Sequence, residues 1–291
     1  MPIKEAKKQK NKSHCPICGS NDLKQVFVYT EPPAGEIRYN FSVKSKYHRE
    51  IWQCRNCAHF ISTQETNDRS LYEEDYVNST YKDAQGLRRT FERITGLDPA
   101  KSDNIGRVKR VLEFSGRYWG SQNIEKPSIL DVGSGLCVFL HRMKAAGWDC
   151  TAIDPDQRAV RHAQETVGVK AMQGDFLKIK DIGKFDTVTF NKVLEHVKNP
   201  LKMLCKARKN LTPKGFVYIE VPDGEIAVQG GKGREEFFVE HLHVFSLTSL
   251  SLMIQKAGYC AVTIERLKEP STKYTLRAFI VPKTNEQTHG A

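Results

Sequence analysis

The sequence predicts an α/β fold: a mostly parallel sheet covered by helices on both faces, with a small cysteine-bearing module ahead of it. Three observations predict it. Short apolar runs near Ile129, Ala152, Val169, Val188, Val217, Val262 and Leu276 alternate with helix starts near Leu136, Asp156, Pro200 and Ser246, and strands that alternate with helices build a mostly parallel sheet. The stretch Ile129-Leu130-Asp131-Val132-Gly133-Ser134-Gly135-Leu136-Cys137-Val138-Phe139-Leu140 opens as a buried strand and ends as a helix, with two glycines at the turn. Two Cys-x-x-Cys pairs, Cys15 with Cys18 and Cys54 with Cys57, stand near the amino terminus. A chain of 291 residues with 39% hydrophobic content has enough material for one sizeable core and a small accessory domain.

Taken in order, residues 1–14 read as a flexible basic arm, in which Lys4, Lys7, Lys8, Lys10 and Lys12 face only Glu5. Residues 15–62 read as a zinc-binding module. Gly19 permits a tight turn beneath a metal, and Val26-Phe27-Val28-Tyr29 and Ile51-Trp52 are short strands that carry the two knuckles together. Four thiolates, those of Cys15, Cys18, Cys54 and Cys57, bind Zn2+ tetrahedrally and leave no open position, so the site is structural. His14, His48 and His59 are the alternative ligands nearby. Glu31-Pro32-Pro33-Ala34-Gly35 is a loop by composition that can reach towards a substrate. Eight cysteines in a chain with no visible signal peptide favour metal over disulfides and a cytoplasmic setting. No apolar run approaches the length of a membrane span. Residues 63–125 read as a connector and helical cap. Leu71–Tyr76 is a short helix and Ile105–Trp119 a longer one with Ile105, Val108, Val111, Leu112 and Trp119 apolar; Tyr72, Tyr76 and Tyr81 either line a site or pack.

The turn Gly133-Ser134-Gly135 lets a ligand approach the backbone closely. A dinucleotide would want Gly or Ala at Val138, and Asp131 would repel a pyrophosphate but attract a ligand's ammonium group. These residues therefore predict a nucleoside-bearing zwitterion, S-adenosylmethionine. Asp149–Ile153 is the second strand, and Asp154 at its carboxyl end is placed to accept both ribose hydroxyls. Gly174-Asp175-Phe176 follows a third strand, where Asp175 and Phe176 meet the adenine. The fourth strand, Phe185–Phe190, leads into Asn191-Lys192-Val193-Leu194-Glu195-His196, of which Asn191 and His196 are candidate cofactor contacts.

With the glycine turn, Asp154, Asp175, the Val193-Leu194-Glu195-His196 segment and Leu211–Phe216 entering a fifth strand, residues 126–282 resemble the class I S-adenosylmethionine-dependent methyltransferases. The resemblance implies a Rossmann-like seven-stranded methyltransferase sheet. Tyr259–Arg266 and Tyr274–Val281 would form its antiparallel edge hairpin, followed by a flexible tail over 283–291. Cys137 departs from the family, which usually carries a third glycine there.

After the fifth strand, Gln229-Gly230-Gly231-Lys232-Gly233 reads as a mobile loop that admits substrate, and Ser246 as the N-cap of the last helix. Between them, His241, His243 and Glu240 are candidate catalytic residues, because His titrates near neutral pH and can remove a proton from a poor nucleophile. No Asn/Asp-Pro-Pro-Tyr/Phe and no cysteine follow the fourth strand, which disfavours adenine amine and covalent pyrimidine chemistry. The zinc module, the tyrosine-rich connector and Glu240-His241-Leu242-His243-Val244-Phe245-Ser246 resemble methyltransferases of sugar and polysaccharide biosynthesis. That resemblance implies a carbohydrate-type acceptor: a sugar, sugar nucleotide or glycan. The alternative is an rRNA methyltransferase whose zinc module contacts RNA. Its support is the net charge of +11 and the basic run Lys198, Lys202, Lys206, Arg208 and Lys209. A third reading is a non-catalytic zinc-module binding protein on the same scaffold. The sequence carries no signal for oligomeric state.

Overall fold

The computed structural model describes residues 14–36, 47–64, 84–120 and 124–283. The expected arm, tail and short helix at Leu71–Tyr76, with Tyr72, Tyr76 and Tyr81, lie outside the described residues.

The amino-terminal module is an antiparallel sheet of β1 (Leu23–Tyr29), β2 (Arg49–Cys54) and β3 (Phe60–Gln64). Its fourth strand comes from far along the chain: β9 (His243–Val244) pairs with Phe60 and Ile61 of β3. Tyr29, Ile51 and Phe60 are buried together with Ala227, Phe237 and Val244. Gly224 is required at this seam, since a Cβ there would stand 2.5 Å from the Phe60 ring. The module thus completes its core with residues from beyond the fifth strand of the main sheet.

Two helices follow. Helix α1 (Ala84–Thr95) turns Leu87 and Phe91 inward. Helix α2 (Asp103–Trp119) begins at Ser102, whose side chain accepts from the Ile105 amide.

The main sheet contains β4 (Ser128–Val132), β5 (Asp149–Asp154), β6 (Lys170–Gln173), β7 (Phe185–Asn191), β8 (Leu211–Pro222), β10 (Tyr259–Lys268) and β11 (Tyr274–Pro282). Seven strands run in the order β10-β11-β8-β7-β4-β5-β6, all in one direction except β11, which is antiparallel to both its neighbours, β8 and β10. The Rossmann-like sheet and its antiparallel hairpin therefore follow the expectation. Connecting helices are α3 (Val138–Ala145), α4 (Gln157–His162), α5 (Pro200–Ala207), the short α6 (Gly224–Ala227) and α7 (Leu247–Lys256), the last opened by a Ser246 capping box.

Strand alternation feeds two cores. Leu130, Val132, Val188, Val217 and Ile219 pack with α5 and α7, while Ile129, Ala152, Phe216, Tyr218 and Phe279 pack with α2 and α3. From β4 the chain moves one way to β5 and β6, then returns to β7 and β8 on the other side. Strand order reverses at β4, and the carboxyl ends there open the crevice where ligands of such sheets bind.

Two expectations change. Gln229 and Gly230 close a short 3-10 turn and Lys232 and Gly233 form a further turn, with Gly231 between them at φ +82° and the Lys232 carbonyl accepting from Tyr29 Oη at 2.9 Å. On the basic run, Lys206 donates to the Ile179 carbonyl and Arg208 to those of Gly258 and Lys283, so these two side chains serve as internal props. Among the described residues, no helix is long and apolar enough to cross a membrane.

Candidate active site

The crevice is built on the turn between β4 and α3. Gly133 has φ +71° and donates to the Ile153 carbonyl at 2.7 Å; a Cβ there would come within 2.8 Å of Val193. Gly135, at φ +49°, donates its amide to Asp154 Oδ2 at 2.8 Å, and Asp156 N donates to Asp154 Oδ1 at 2.9 Å. Asp154 is buried, and burial raises its pKa against these two amides. Asp131 is also buried, with Oδ1 accepting from Thr189 Oγ1 at 2.6 Å and Asn191 Nδ2 at 2.8 Å. Burial outweighs both bonds and pushes its carboxyl up to about 6. Buried Ser134 Oγ and Asn191 Oδ1 have no partner among the described residues, and polar atoms of this kind usually belong to a ligand or water site. Cys137 adopts φ +57°, ψ +22°. The left-handed conformation that suits a third glycine is thus kept by a cysteine.

Asp131, Gly133, Ser134, Gly135, Asp154 and Asn191 consequently meet at the carboxyl ends of β4, β5 and β7. Asp175 lies on an exposed turn after β6, accepting from Leu177 N at 2.8 Å, with Phe176 buried behind it against Phe190. Gly174 N donates to the Asp154 carbonyl at 3.0 Å and ties that turn to the same crevice.

His196 goes elsewhere. After Asn191 the chain bends through Lys192 at φ +58°, and His196 Nδ1 donates to the Glu240 carbonyl at 3.0 Å. Its ring lies 4.9 Å from that of His241, whose Nδ1 donates to the Glu236 carbonyl at 2.8 Å. A carbonyl partner at Nδ1 leaves the lone pair of the neutral His241 ring on Nε2. Burial, reinforced by His196, holds His241 well below the usual imidazole range. Beside them the Glu195 carboxylate is buried, neither oxygen has a partner among the described residues, and burial raises its pKa. One ligand atom each from Glu195, His196 and His241 lie within 4.8 Å of one another, a set that a single cation can bridge. Glu240 adds a carboxyl whose Oε2 is buried without a partner among the described residues.

The paired histidines of the sequence part company here. A bend at Leu242 separates them, and His243 turns into the seam with the module, where its Nδ1 lies 3.1 Å from His59 Nε2 and His59 Nδ1 lies 3.3 Å from Ser249 Oγ. Burial lowers His243 to about 4. The four cysteines do converge, with their sulfur atoms within 4.8 Å of one another. Hydrogen bonding to Cys57 lowers the Cys15 thiol to about 5, and Cys57 is raised in return. Tetrahedral zinc fits this donor set, whereas His59 points away from it.

Three features escaped the sequence reading: Glu195, the pair Glu36 and Arg49, and Glu220, which Arg107 and Arg277 grip from α2 and β11. Glu220 had a signal, as a lone charge within the apolar run Val217–Val221. Arg49 and Glu36 had none.

The fold is similar to magnesium protoporphyrin IX methyltransferase from Synechocystis PCC 6803 with bound SAH, at TM-score 0.55 and 17% identity over 74% of this chain and 100% of that one. It is also similar to a putative O-methyltransferase from Nostoc punctiforme, at TM-score 0.50 and 13% identity over 73% and 61% of the two chains. In sequence the chain is similar to the ubiquinone biosynthesis O-methyltransferases of Bordetella avium (28% identity over 45% of this chain and 54% of that protein), Rickettsia conorii (31%; 41% and 43%) and Escherichia coli (24%; 56% and 65%). The chain spans about half the length of the first curated relatives it matches. These relatives overturn the likeness to sugar-biosynthesis methyltransferases and the carbohydrate acceptor it implied. Residues 101–264, more than half of the chain, match the family profile described as a methyltransferase domain, and the chain belongs to that family.

Proposed function

We propose that the chain transfers the methyl group of S-adenosylmethionine to an oxygen atom of a small-molecule acceptor. The observation that carries the cofactor half is the crevice, where two buried carboxylates flank a glycine turn beside the unpartnered Ser134 Oγ and Asn191 Oδ1. Asp131 faces the cofactor's ammonium group, Asp154 its ribose, and Asp175 with Phe176 its adenine. The acceptor class follows the names of the sequence relatives.

When bound, the cofactor supplies an electrophilic methyl group on a sulfonium. The protein's part is to align an acceptor hydroxyl and take its proton. In this reading His241 Nε2 accepts that proton as the oxygen attacks. Its low proton affinity keeps the ring neutral and ready at neutral pH. His196 and Glu240 orient the approach. Replacing His241 by Ala is expected to lower turnover roughly 10²–10⁴-fold while leaving cofactor affinity intact. Radiolabelled methyl transfer to phenolic and aliphatic alcohols, paired with calorimetry, checks both; normal turnover would remove His241 from the reaction.

A second reading of the same cluster rests on its spacing: Glu195, His196 and His241 hold a divalent cation that gathers the acceptor oxygens. Activity lost to a chelator and regained with Mg2+ or Mn2+ would favour it over the simple base. The module in this proposal carries one structural Zn2+ on Cys15, Cys18, Cys54 and Cys57. The working division is module 15–62, connector and cap 63–125, and methyltransferase domain 126–282, with β9 closing the module's sheet.

A further inference from the structure

Arg49 and Glu36 form an ion pair whose side chains are both 0% exposed. A buried pair of this kind is poor value for stability alone, because apolar residues of similar volume commonly serve as well or better. The question is what the charges hold. Arg49 Nη2 donates to Glu36 Oε2 at 2.9 Å, Nη1 to the Phe237 carbonyl at 2.6 Å, and Nε to Tyr47 Oη at 3.1 Å, with the guanidinium 4.1 Å from the centre of the Tyr29 ring. Glu36 Oε2 accepts from Val239 N at 2.8 Å, and Oε1 from Tyr47 Oη at 2.6 Å. The pair therefore grips two backbone groups, one on each side of Phe238, in a segment without a long helix or strand of its own.

That segment aims the two active-site imidazoles. The Glu236 carbonyl receives His241 Nδ1, and the Glu240 carbonyl receives His196 Nδ1. Grip and aim interleave along the chain: residue 236 for His241, 237 for Arg49, 239 for Glu36 and 240 for His196. Just beyond, Leu242 N and His243 N both donate to the Glu195 carbonyl. Attachment of the module does not need the ion pair, because Tyr29, Ile51 and Phe60 already pack on Phe237 and Val244, and β3 pairs with β9. Apolar packing could hold the segment's side chains but not its carbonyl at 237 or its amide at 239.

We infer that the buried Glu36–Arg49 pair is a positioning device by which the amino-terminal module sets His196 and His241 against Glu195. Neither residue is a catalytic residue, since both act through the 236–240 backbone. The catalytic consequence rests on the proposed methyl transfer, whereas the geometric one does not, and the experiment separates them.

Arg49→Lys keeps the charge but loses the fork that reaches Glu36 and Phe237 together. Glu36→Gln keeps the shape and one acceptor oxygen, and provides a milder variant if Arg49→Lys folds poorly. Three quantities are read on each full-length variant: kcat, cofactor affinity by calorimetry, and the hydrogen-bonded Nδ1–H proton signals of His196 and His241 by NMR. The expected result for Arg49→Lys is a fall in kcat of roughly ten- to a hundredfold, as for a displacement of about 1 Å in an aligned site. Cofactor affinity should stay within about twofold, and both Nδ1–H signals should shift or broaden. Glu36→Gln should move the same quantities in the same direction by less. Unchanged Nδ1–H signals in both variants would overturn the inference, as would cofactor affinity falling in step with kcat. If the unaltered protein transfers no methyl group to any acceptor, the proposed function fails, while the NMR signals still decide the positioning role.

Discussion

The two ends of the proposed active site are built by different means. At the cofactor end, the glycine turn, Asp154 and Asp131 are joined by contacts between neighbouring strands, such as Gly135 N to Asp154 and Asn191 to Asp131. At the proposed acceptor end, the cluster of Glu195, His196 and His241 depends on segments far apart in the chain, such as Glu36 with Val239 and Arg49 with Phe237. One end is a local strand-turn-helix motif set on a sheet. The other is an agreement between two parts of the chain that each lack half of what they need. The difference implies that the ends can be damaged separately.

The largest break should come through the module. Removing one thiolate of the proposed zinc site with Cys54→Ser should forfeit a metal-binding free energy of roughly 10–16 kcal/mol, which for such sites is folding free energy. The module should lose its metal and its fold, β3 should release β9, and methyl transfer should cease. The sheet and its cofactor crevice should survive, so calorimetry should still find S-adenosylmethionine bound. Elemental analysis is expected to give one zinc per chain before the change and none after. Loss of cofactor binding along with the metal would mean that the two ends are one cooperative unit.

Next in size is Glu220, which links α2, β8 and β11 beneath the crevice. Burial would raise its carboxyl, but Arg107, Arg277 and Lys192 outweigh burial and hold it far below the usual carboxylate range. Removing one partner from a buried ionic cluster costs about 3–5 kcal/mol, because charges are left uncompensated. Glu220→Ala should lower the denaturant midpoint accordingly. The depressed pKa gives the sign of the pH effect: its contribution is fully present above the unfolded value near 4.3 and is lost as pH falls below it towards the native value. A variant as acid-resistant as the parent would contradict this.

The same contrast explains what the sequence disclosed. Glycines with positive φ, a Ser246 cap and alternating apolar strands act over a few residues, and the sheet and the crevice acids were legible from them. Strand β3 was missed because Phe60-Ile61-Ser62-Thr63-Gln64 is half polar and finds its reason in β9, far along the chain. Helix α1 carries only Leu87 and Phe91 as buried large apolar side chains amid arginines, too thin a stripe to register. His241 and His243 looked equivalent because spacing in sequence says nothing about a bend at Leu242. Their neighbours, Glu236 and His196 for one and His59 for the other, are tertiary facts.

At the cofactor end, effects should be smaller and confined to binding. Asp131, with its carboxyl raised to about 6, binds a proton in the native state at pH values where the unfolded chain has lost it. Stability should therefore fall as pH rises from about 4 to 6, by up to ~1.4 kcal/mol per unit. A cationic ligand favours the ionised form, so cofactor affinity should strengthen over the same rise by up to about tenfold per unit. Asp131→Asn should flatten both curves in calorimetry and melting. Asp154→Ala should weaken cofactor binding by about 1.5–3 kcal/mol, the value of hydrogen bonds to a charged acceptor. Unchanged affinity would remove Asp154 from the ribose site.

The smallest change expected is at Cys137, and it tests whether backbone shape or side chains govern the cofactor end. Cys137 holds φ +57° at the start of α3, a conformation that costs a non-glycine residue roughly 1–2 kcal/mol. Cys137→Gly relieves that strain. Against the gain stand the lost burial of a side chain that is only 1% exposed and the greater freedom of glycine in the unfolded chain, about 0.5–1 kcal/mol. The terms are similar in size and opposite in sign, so the net change should lie within about 1 kcal/mol and move the melting temperature by no more than about 2–4 °C. Because Gly133 and Gly135 already present the turn's amides to Ile153 and Asp154, cofactor affinity should change less than it does for Asp154→Ala. If Cys137→Gly weakens binding more than Asp154→Ala does, the cysteine side chain, and not the path of the backbone, sets the shape of this end.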